Sequence, residues 1–320
     1  MFTAIIPVHN RADLLKRLLD SVRAQTVAFS EIVVVDNAST DGAAEVARAF
    51  GCRVIGMGEN AGFARAVNCG WRAAKTEWVA ILNSDVELDR RWLERLSAST
   101  AGVSFATGLI RDASNPGIVD GTYDLMSRAA CAWQAGHGAP ADARVYDSIA
   151  IAIAPGTACL FRRDVLDQLD GFDERFGSYL EDVDLGLRCL NKGLTGLYIT
   201  DAIAYHHGSA TFGRWDARVV RLISRNQLML VSRHYDAALF RSCFRAILAG
   251  QLLWGLIALR HGRPLAWLAG KWDGLRGFHL EGQPSARLVE FLAASEEEIQ
   301  RRAEGPYWRW YFRLTKTGAH

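Results

Sequence analysis

The sequence contains no Gly-x-Gly-x-x-Gly run, no Walker A loop and no Gly-x-Ser-x-Gly elbow. The first two absences count against dinucleotide-dependent oxidoreductases and P-loop enzymes, whose phosphate cradles need those glycines. The third, with no Cys/His nucleophile arrangement, counts against a hydrolase of the serine or thiol kind. The six cysteines, Cys52, Cys69, Cys131, Cys159, Cys189 and Cys243, form no CxxC pair. Neither a zinc site nor a disulfide framework is therefore expected, and reduced thiols in a cytoplasmic compartment fit better. Long apolar runs are missing as well. The longest, residues 246–259, has 14 residues including Gln251, short of the ~20 that span a bilayer, so it should lie in an interface or a helical core. Met1 leads directly into a strand-like segment, so no signal peptide is expected ahead of it.

What is present suits a folded α/β protein. The chain has 320 residues, half of them hydrophobic and 22% charged, enough for one large domain or one with an appendage. The net charge of +2 hides a division. Residues 1–213 carry 20 Lys and Arg against 26 Asp and Glu, whereas residues 214–320 carry 17 against 9. An acidic part suits a divalent cation; a basic, Trp-rich tail suits an anionic membrane surface or, equally, arginines that solvate exposed helices.

The first hundred residues alternate strand and helix signals, the mark of a largely parallel sheet with crossover helices. The apolar run at 2–8 reads as a buried strand, and further strands are expected at 31–36, 53–55 and 78–82. Leu14, Leu15, Leu18, Leu19 and Val22 recur at helical spacing and predict a helix over 12–25. Strands are also expected at 103–109, 149–154, 158–161, 197–200 and 203–205, with a helix at 181–191 and loops or hairpins over 111–148. Beyond residue 214 the strand signal vanishes and Arg-rich amphipathic segments take over.

Several segments carry polar residues where strands end. Asp36 closes an apolar run, and ligands of open α/β sheets bind outside such carboxyl ends, although Asp36, Ser39 and Asp41 equally suit a turn. Asn60-Ala-Gly-Phe-Ala-Arg-Ala-Val-Asn68 enters a helix whose start would offer free N–H groups to phosphate. Asn83-Ser-Asp85 follows a buried strand, and a carboxylate there suits Mg²⁺ or Mn²⁺. Glu181-Asp182-Val-Asp184 crowds three acids onto a helix start. That pattern serves helix electrostatics or, by raising one pKa, proton abstraction; the residues alone leave both open. His206 and His207 end a strand, either of them a metal ligand or a structural imidazole.

Taken in order, seven stretches resemble glycosyltransferase family 2, in particular its bacterial rhamnosyltransferase-like branch with a GT-A fold. They are Ile5-Ile-Pro-Val-His-Asn-Arg11, Val34-Val-Asp-Asn-Ala-Ser-Thr-Asp-Gly42, Asn60–Asn68, Leu82-Asn-Ser-Asp85, Gly171-Phe-Asp-Glu174, Glu181-Asp-Val-Asp-Leu185 and His206-His-Gly-Ser209. The resemblance implies a Rossmann-like mixed central sheet flanked by helices over residues 1–213, and a helical extension over 214–320. It implies that Pro7, His9, Asn10 and Arg11 line a nucleotide pocket in which Asp36 meets the base, a uracil or thymine. Asn60, Gly62, Phe63, Arg65 and Asn68 would meet ribose and diphosphate. Asn83-Ser84-Asp85 stands where the family has its DXD motif, with Asn for the first acid, leaving Asp85 and His206 as metal ligands for Mg²⁺ or Mn²⁺. Asp182 falls at the family's catalytic base.

The function so implied is inverting transfer of a sugar, rhamnose in the branch named, from a UDP- or dTDP-sugar to a glycan or lipid-linked acceptor in cell-surface polysaccharide synthesis. A non-catalytic nucleotide-sugar or glycan-binding protein of the same fold is the main competing class; donor hydrolysis would separate the two. No nucleic-acid partner is expected. In the tail, Leu252, Leu253, Trp254, Leu256, Ile257, Leu265, Trp267 and Leu268 stand among Arg245, Arg260, Arg263 and Lys271. This pattern predicts an amphipathic surface for the cytoplasmic face of a membrane, with a helical cap or a homodimer interface as the alternative.

Overall fold

A computed structural model of the chain describes residues 1–141, 148–208 and 215–316. Ser209 and the expected 213/214 domain boundary lie outside the described residues. In chain order the elements are β1 (Phe2–Val8), α1 (Ala12–Arg23), β2 (Glu31–Asp36), α2 (Ala43–Ala49), β3 (Arg53–Gly56), α3 (Phe63–Ala73), β4 (Trp78–Leu82), β5 (Val86–Leu88), α4 (Trp92–Ser97) and β6 (Phe105–Asp112). There follow β7 (Val119–Gly121), β8 (Asp124–Met126), β9 (Ala132–Gln134), β10 (Ile149–Ile151), β11 (Ala158–Arg162), α5 (Arg163–Leu169), α6 (Glu181–Asn191) and β12 (Gly196–His206). Among the described residues five helices follow: α7 (Ala217–His234), α8 (Ala237–Arg260), α9 (Pro264–Arg276), α10 (Ala286–Arg302) and α11 (Pro306–Thr315).

Two compact units form. Met1–Asp124 and Gly136–Thr211 make the first; Leu125–Ala135 and Phe212–His320 make the second. Within the span 1–213 expected for the catalytic domain, residues 125–135 group with the second unit. Residues 125–135 join the C-terminal helices because polar contacts tie them there: Gln251 Nε2 donates to Ala129 O at 2.8 Å, Tyr235 Oη donates to Arg128 O at 3.0 Å, and Arg128 pairs with Glu296 at 2.7 Å.

The first unit is built on a mixed sheet of order β10-β12-β6-β11-β4-β1-β2-β3, with β5 added to β12 and β7 to β6. Strands β1 to β4 are mutually parallel, as their apolar runs predict, while β11 runs antiparallel between β4 and β6. Continuous apolar runs arise because both faces are covered. Ala4, Ile6, Val8 and Val34 pack with Leu15, Leu18 and Leu19 of α1, whereas Ile5 and Val35 meet α3 at Gly70. Pro7 pairs with Val35 on the β2 side, but the β1–β4 ladder stops at Ile5, so its missing N–H withdraws no donor there. The two strands expected at 197–200 and 203–205 are one, β12, with a register shift between Ile199 and Ile203.

The second unit consists of α7 to α11 and the small β8–β9 ribbon. Helix α8 begins at Ala237, well before the apolar run that starts at Ala246. Its 24 residues include an 18-residue window with a mean hydropathy of 1.6, and the helix is long and apolar enough to cross a membrane by length and composition alone. The run on its own does not reach that length.

Candidate active site

Loops at the carboxyl ends of β1 and β2 are held by side chains that the motifs contain. The His9 Nδ1 lies 2.8 Å from Asn37 O, Asn10 N donates to Ser39 Oγ at 2.9 Å, and Asn10 Oδ1 accepts from Thr40 N at 2.8 Å. Asp36 accepts from Ser39 N through Oδ1 at 2.9 Å. Asn10, Arg11 and Ala38 all adopt left-handed backbone, with φ of 62°, 65° and 62°, a concentration of strain that persists only where surroundings enforce it. Beside this loop lies Asn37, 5% exposed. Its Oδ1 accepts from Ala61 N at 2.8 Å, and its Nδ2 donates to Asn60 Oδ1 at 3.1 Å and Gly62 O at 3.3 Å. One amide thereby joins the β2 loop to the segment that enters α3. Pro7 itself is buried within β1, and Arg11 reaches Asp13 at 3.3 Å.

The start of α3 differs from the expectation of free N–H groups. Phe63 N donates to Ser178 Oγ at 3.1 Å and Ala64 N to Gly177 O at 2.9 Å, so both donors are committed within the protein. Gly62 is required for this close approach: a Cβ there would stand 2.8 Å from Gly177 O, and its φ is +86°. Asn68, expected at the ribose, is 1% exposed. It donates to Phe172 O at 2.8 Å and accepts from Phe172 N at 2.9 Å and Trp71 Nε1 at 3.0 Å, fastening α3 to the Gly171-Phe172 turn. Arg65 is half-exposed and pairs with Glu59 at 3.3 Å. The Phe63 ring meets Phe172 edge-on at 6.1 Å and lies beside Gly156.

Beyond β4 the chain turns at Asn83-Ser84-Asp85-Val86, closed by Val86 N donating to Asn83 O at 3.2 Å. It returns as β5, antiparallel to the end of β12, with Val86 opposite His206. This hairpin-like return brings His206 Nε2 to 3.4 Å from Asp85 Oδ1. The other ring nitrogen, Nδ1, lies 2.7 Å from Asp120 Oδ2. Burial opposes the charged imidazole, but the two carboxylates outweigh it and push its pKa up to about 10. Burial would likewise raise Asp85, yet His206 beside it holds that carboxyl below its ordinary value. His207 points elsewhere, its Nε2 2.7 Å from Glu87 Oε1.

These residues fit a divalent cation in part. Asn83 Oδ1 is buried without a hydrogen-bond partner, an exposed need for a donor or cation next to Asp85. Oxygen and imidazole ligands suit Mg²⁺ or Mn²⁺. Among the described residues, however, no three His, Cys, Asp or Glu side chains converge as a closed ligand set. Further ligands would have to come from a bound diphosphate, as is usual for Mg²⁺ with phosphate substrates.

The three acids of α6 separate into distinct environments. Asp184, fully buried, pairs with Arg188 at 2.8 Å. Glu181 is 6% exposed with Oε2 unpartnered, and burial, then the nearby Asp182 charge, raises its pKa well above the ordinary range. Asp182 is not the helix cap; Leu180 occupies that position, in left-handed conformation and with no side-chain cap. The Asp182 Oδ1 accepts from Val183 N at 2.8 Å, while Oδ2 reaches out of the helix to Gly156 N at 2.9 Å. Burial raises its pKa despite those two N–H donors. Asp124, 5% exposed and with Oδ1 unpartnered, is raised by burial and by the Asp182 charge. Of the pair Asp124 is raised the further, because Asp182 alone has N–H groups to stabilise its charge.

Backbone geometry connects the Asn83–Asp85 turn to the acids of α6. Asn83 N donates to Thr157 O at 2.9 Å, and the preceding residue, Gly156, holds Asp182. Asp36, Asp85, Asp182 and His206 therefore all lie at the same end of the sheet, where open α/β folds bind ligands. Asn37, Asp120, Asp124 and Gly156 were not anticipated among the site residues. A buried amide after a strand-end acid is a signal that Asn37 carried; the other three depend on long-range contacts.

The family model described as "Glycosyl transferase family 2" matches residues 3–170, and one described as "Glycosyl transferase family group 2" matches residues 116–271. An N-acetylglucosaminyl-diphospho-decaprenol L-rhamnosyltransferase of Mycobacterium tuberculosis is 29% identical over 265 residues, covering 74% of this chain and 86% of that one. A mannosyltransferase from Pyrobaculum calidifontis, solved with GDP-Man and Mn²⁺, superposes with a TM-score of 0.56 at 20% identity, covering 98% of this chain and 83% of the other. GalNAc-T7, solved with UDP, GalNAc and Mn²⁺, gives 0.62 at 14% identity over 98% of this chain and 56% of its own. The central mixed sheet with flanking helices is the GT-A fold shared with these neighbours.

Proposed function

The chain belongs to glycosyl transferase family 2, and from that premise we propose that it is an inverting, metal-dependent hexosyltransferase. In this reading it moves rhamnose from a UDP- or dTDP-sugar to a hydroxyl of a lipid-linked glycan in cell-surface polysaccharide synthesis. The sugar and the acceptor class follow the name of the mycobacterial relative. The six free thiols suit a cytoplasmic location.

The observation that carries the reading is Asp182, whose carboxylate leaves its own helix to meet Gly156 beside the Phe63 ring. As general base it takes the proton of the acceptor hydroxyl as that oxygen bonds to C1 of the sugar. The C1–O bond to the nucleoside diphosphate breaks on the opposite face, so C1 inverts and the diphosphate departs with the electron pair. The carboxyl of Asp124 is raised by burial and by the Asp182 charge, which favours Asp182 as the ionised member of the pair. Asp36 and the Asn10–Ser39 and Asn37–Asn60 hydrogen bonds shape the loop that takes the nucleoside. Asp85 and His206, with Asn83 Oδ1 alongside, would hold Mg²⁺ or Mn²⁺, which supplies Lewis-acid stabilisation of the departing diphosphate.

The test is turnover of purified protein with dTDP-rhamnose and with UDP-sugars, on a polyprenyl-diphosphate-linked N-acetylglucosamine acceptor, with Mg²⁺, Mn²⁺ or chelator. Product of inverted anomeric configuration by NMR, formed only with metal, is expected. Retained configuration would overturn the role of Asp182, and metal-independent turnover that of Asp85 and His206. Donor binding without transfer or hydrolysis would favour a binding protein.

A further inference from the structure

Helices α8 and α9 of the second unit each carry an apolar stripe that no described residue of that unit covers. On α8, Phe244, Leu248, Leu252, Leu256 and Leu259 are 51–61% exposed. Their spacing of four and three residues keeps them on one side of the helix. The opposite side is the packed one, with Cys243, Ala246, Ile247, Gly250, Gln251 and Ala258 buried. On α9, Leu265, Leu268, Trp272 and Leu275 are 52–77% exposed, again opposite the buried Gly270 and Gly274. The two helices form a hairpin in which Gly255 packs directly on Trp267.

Charge identifies the occupant. From Ala237 to Arg276 there are six Lys and Arg and one Asp, and α8 has no acid at all. The one acid, Asp273, is paired with Arg221 at 2.6 Å. Exposed Arg241 and Arg245 precede most of the α8 stripe, and exposed Arg260 and Arg263 follow it. Arg276 lies over the Trp272 ring at 5.6 Å. Leucines bounded by arginines, with an exposed tryptophan, match an acyl–headgroup boundary: apolar chains enter while guanidinium groups reach phosphate. A second copy of the chain fits worse. Two such faces brought together would oppose arginines with no acid on α8 to pair them. A full span is disfavoured because only one side of α8 is free for lipid; the other is packed against protein.

We propose that the α8–α9 hairpin is a monotopic docking surface for an anionic phospholipid bilayer, lying in its interface with the Leu252–Leu256 stripe inserted. This goes beyond sugar transfer, and its test needs neither donor nor acceptor, so either reading can fail without the other.

The full chain is sedimented with vesicles of phosphatidylcholine and phosphatidylglycerol, and with phosphatidylcholine alone, at low and high salt. Binding to the anionic vesicles that weakens with salt is expected. Leu252→Glu/Leu256→Glu should lower the partition at least ~tenfold, since each leucine contributes a comparable factor on burial. Arg241→Glu/Arg245→Glu should weaken binding to anionic vesicles while leaving the residual binding to phosphatidylcholine unchanged. Circular dichroism melts identical to the parent would show that the variants remain folded. Brominated acyl chains should quench fluorescence in the parent more than in Trp272→Phe. Absence of binding to either vesicle, or equal binding by the leucine variant, would overturn the proposal. So would a parent dimer in light scattering that the leucine variant converts to monomer, because a second copy would then cover the stripe.

Discussion

Asp120 Oδ2 lies 2.7 Å from His206 Nδ1, on the far side of the ring from Asp85. The carboxylate thus fixes which nitrogen faces Asp85 and how the ring is turned. It does so from β7, which reaches the site because β7 pairs with β6 and β6 pairs with β12. Partners of this kind typically change metal affinity by ~10–100-fold when removed. Asp120→Asn is therefore expected to weaken Mn²⁺ binding by that order in titration calorimetry with UDP or dTDP present. Nucleotide binding without metal should be little affected. Equal Mn²⁺ affinity in the variant would show that ring orientation is set elsewhere.

Asp182 carries a pKa raised by burial, so its basic form is present above that value and is lost as pH falls through it. The acidic limb of kcat/KM should accordingly lie above the usual carboxylate range. Asp182→Asn is expected to lower kcat by ~10²–10⁴-fold, the ordinary contribution of a general base. Donor binding should stay within a few-fold. Near-normal turnover in the variant would remove the base from the mechanism.

Asp124 has a separate consequence for stability. Asp124 has a folded pKa raised well above 3.8, so above that ordinary value the native state binds a proton that the unfolded state releases. Stability from this group therefore falls as pH rises into the neutral range. Asp124→Asn keeps the shape and removes the titration. Its melting temperature should exceed that of the parent at pH well above the ordinary carboxylate range, and match it in acid. A gain that did not depend on pH would mean that Asp124 is ionised in the native protein.

Local pattern was a reliable guide where local forces decide structure. The bounds of β1, β2, β4 and α6 follow directly from apolar runs and an acid-rich helix start. Asp85 and His206 were paired only through family resemblance, and the structure supplies the cause, the β5 return that sets Val86 opposite His206. What could not be read was non-local. The N–H groups at the start of α3 are taken by Gly177 and Ser178, more than a hundred residues away. Family resemblance implied that Asn68 meets the ribose or diphosphate; in the structure both ends of its amide are held by Phe172. Residues 125–135 carry no compositional mark of belonging with the C-terminal helices; the buried amide of Gln251 draws them there.

Gly62 tests how tightly the α3 entry and the acid helix are joined. Its φ of +86° and ψ of 170° fall in a region that side chains avoid, at a cost of roughly 1–3 kcal/mol. A Cβ would also press on Gly177 O, just ahead of Tyr179 and Leu180, both with positive φ before Glu181. Gly62→Ala is expected to lose about 2 kcal/mol or more in urea unfolding and to reduce kcat by shifting Asp182. Full stability and activity would mean that the Gly177 loop moves aside freely.

Lys271 offers a pH signature in the second unit. Its ammonium donates to Ser224 O at 2.8 Å, Gln227 Oε1 at 3.0 Å and Gln251 Oε1, yet burial pushes its pKa down to about 7. Between about 7 and the ordinary 10.5 the unfolded state holds a proton that the native state lacks, so stability should rise with pH across that window. Below it both states are charged, and the cost of burying the ammonium is present in full. Lys271→Met leaves three oxygen acceptors without their donor, so its absolute stability mixes two effects. Its slope does not. Unfolding free energies measured from pH 7 to 10 should climb in the parent and stay flatter in Lys271→Met, the two curves converging at the alkaline end apart from a constant offset. Parallel curves would show that the three acceptors keep Lys271 charged in the native state, with burial the weaker force.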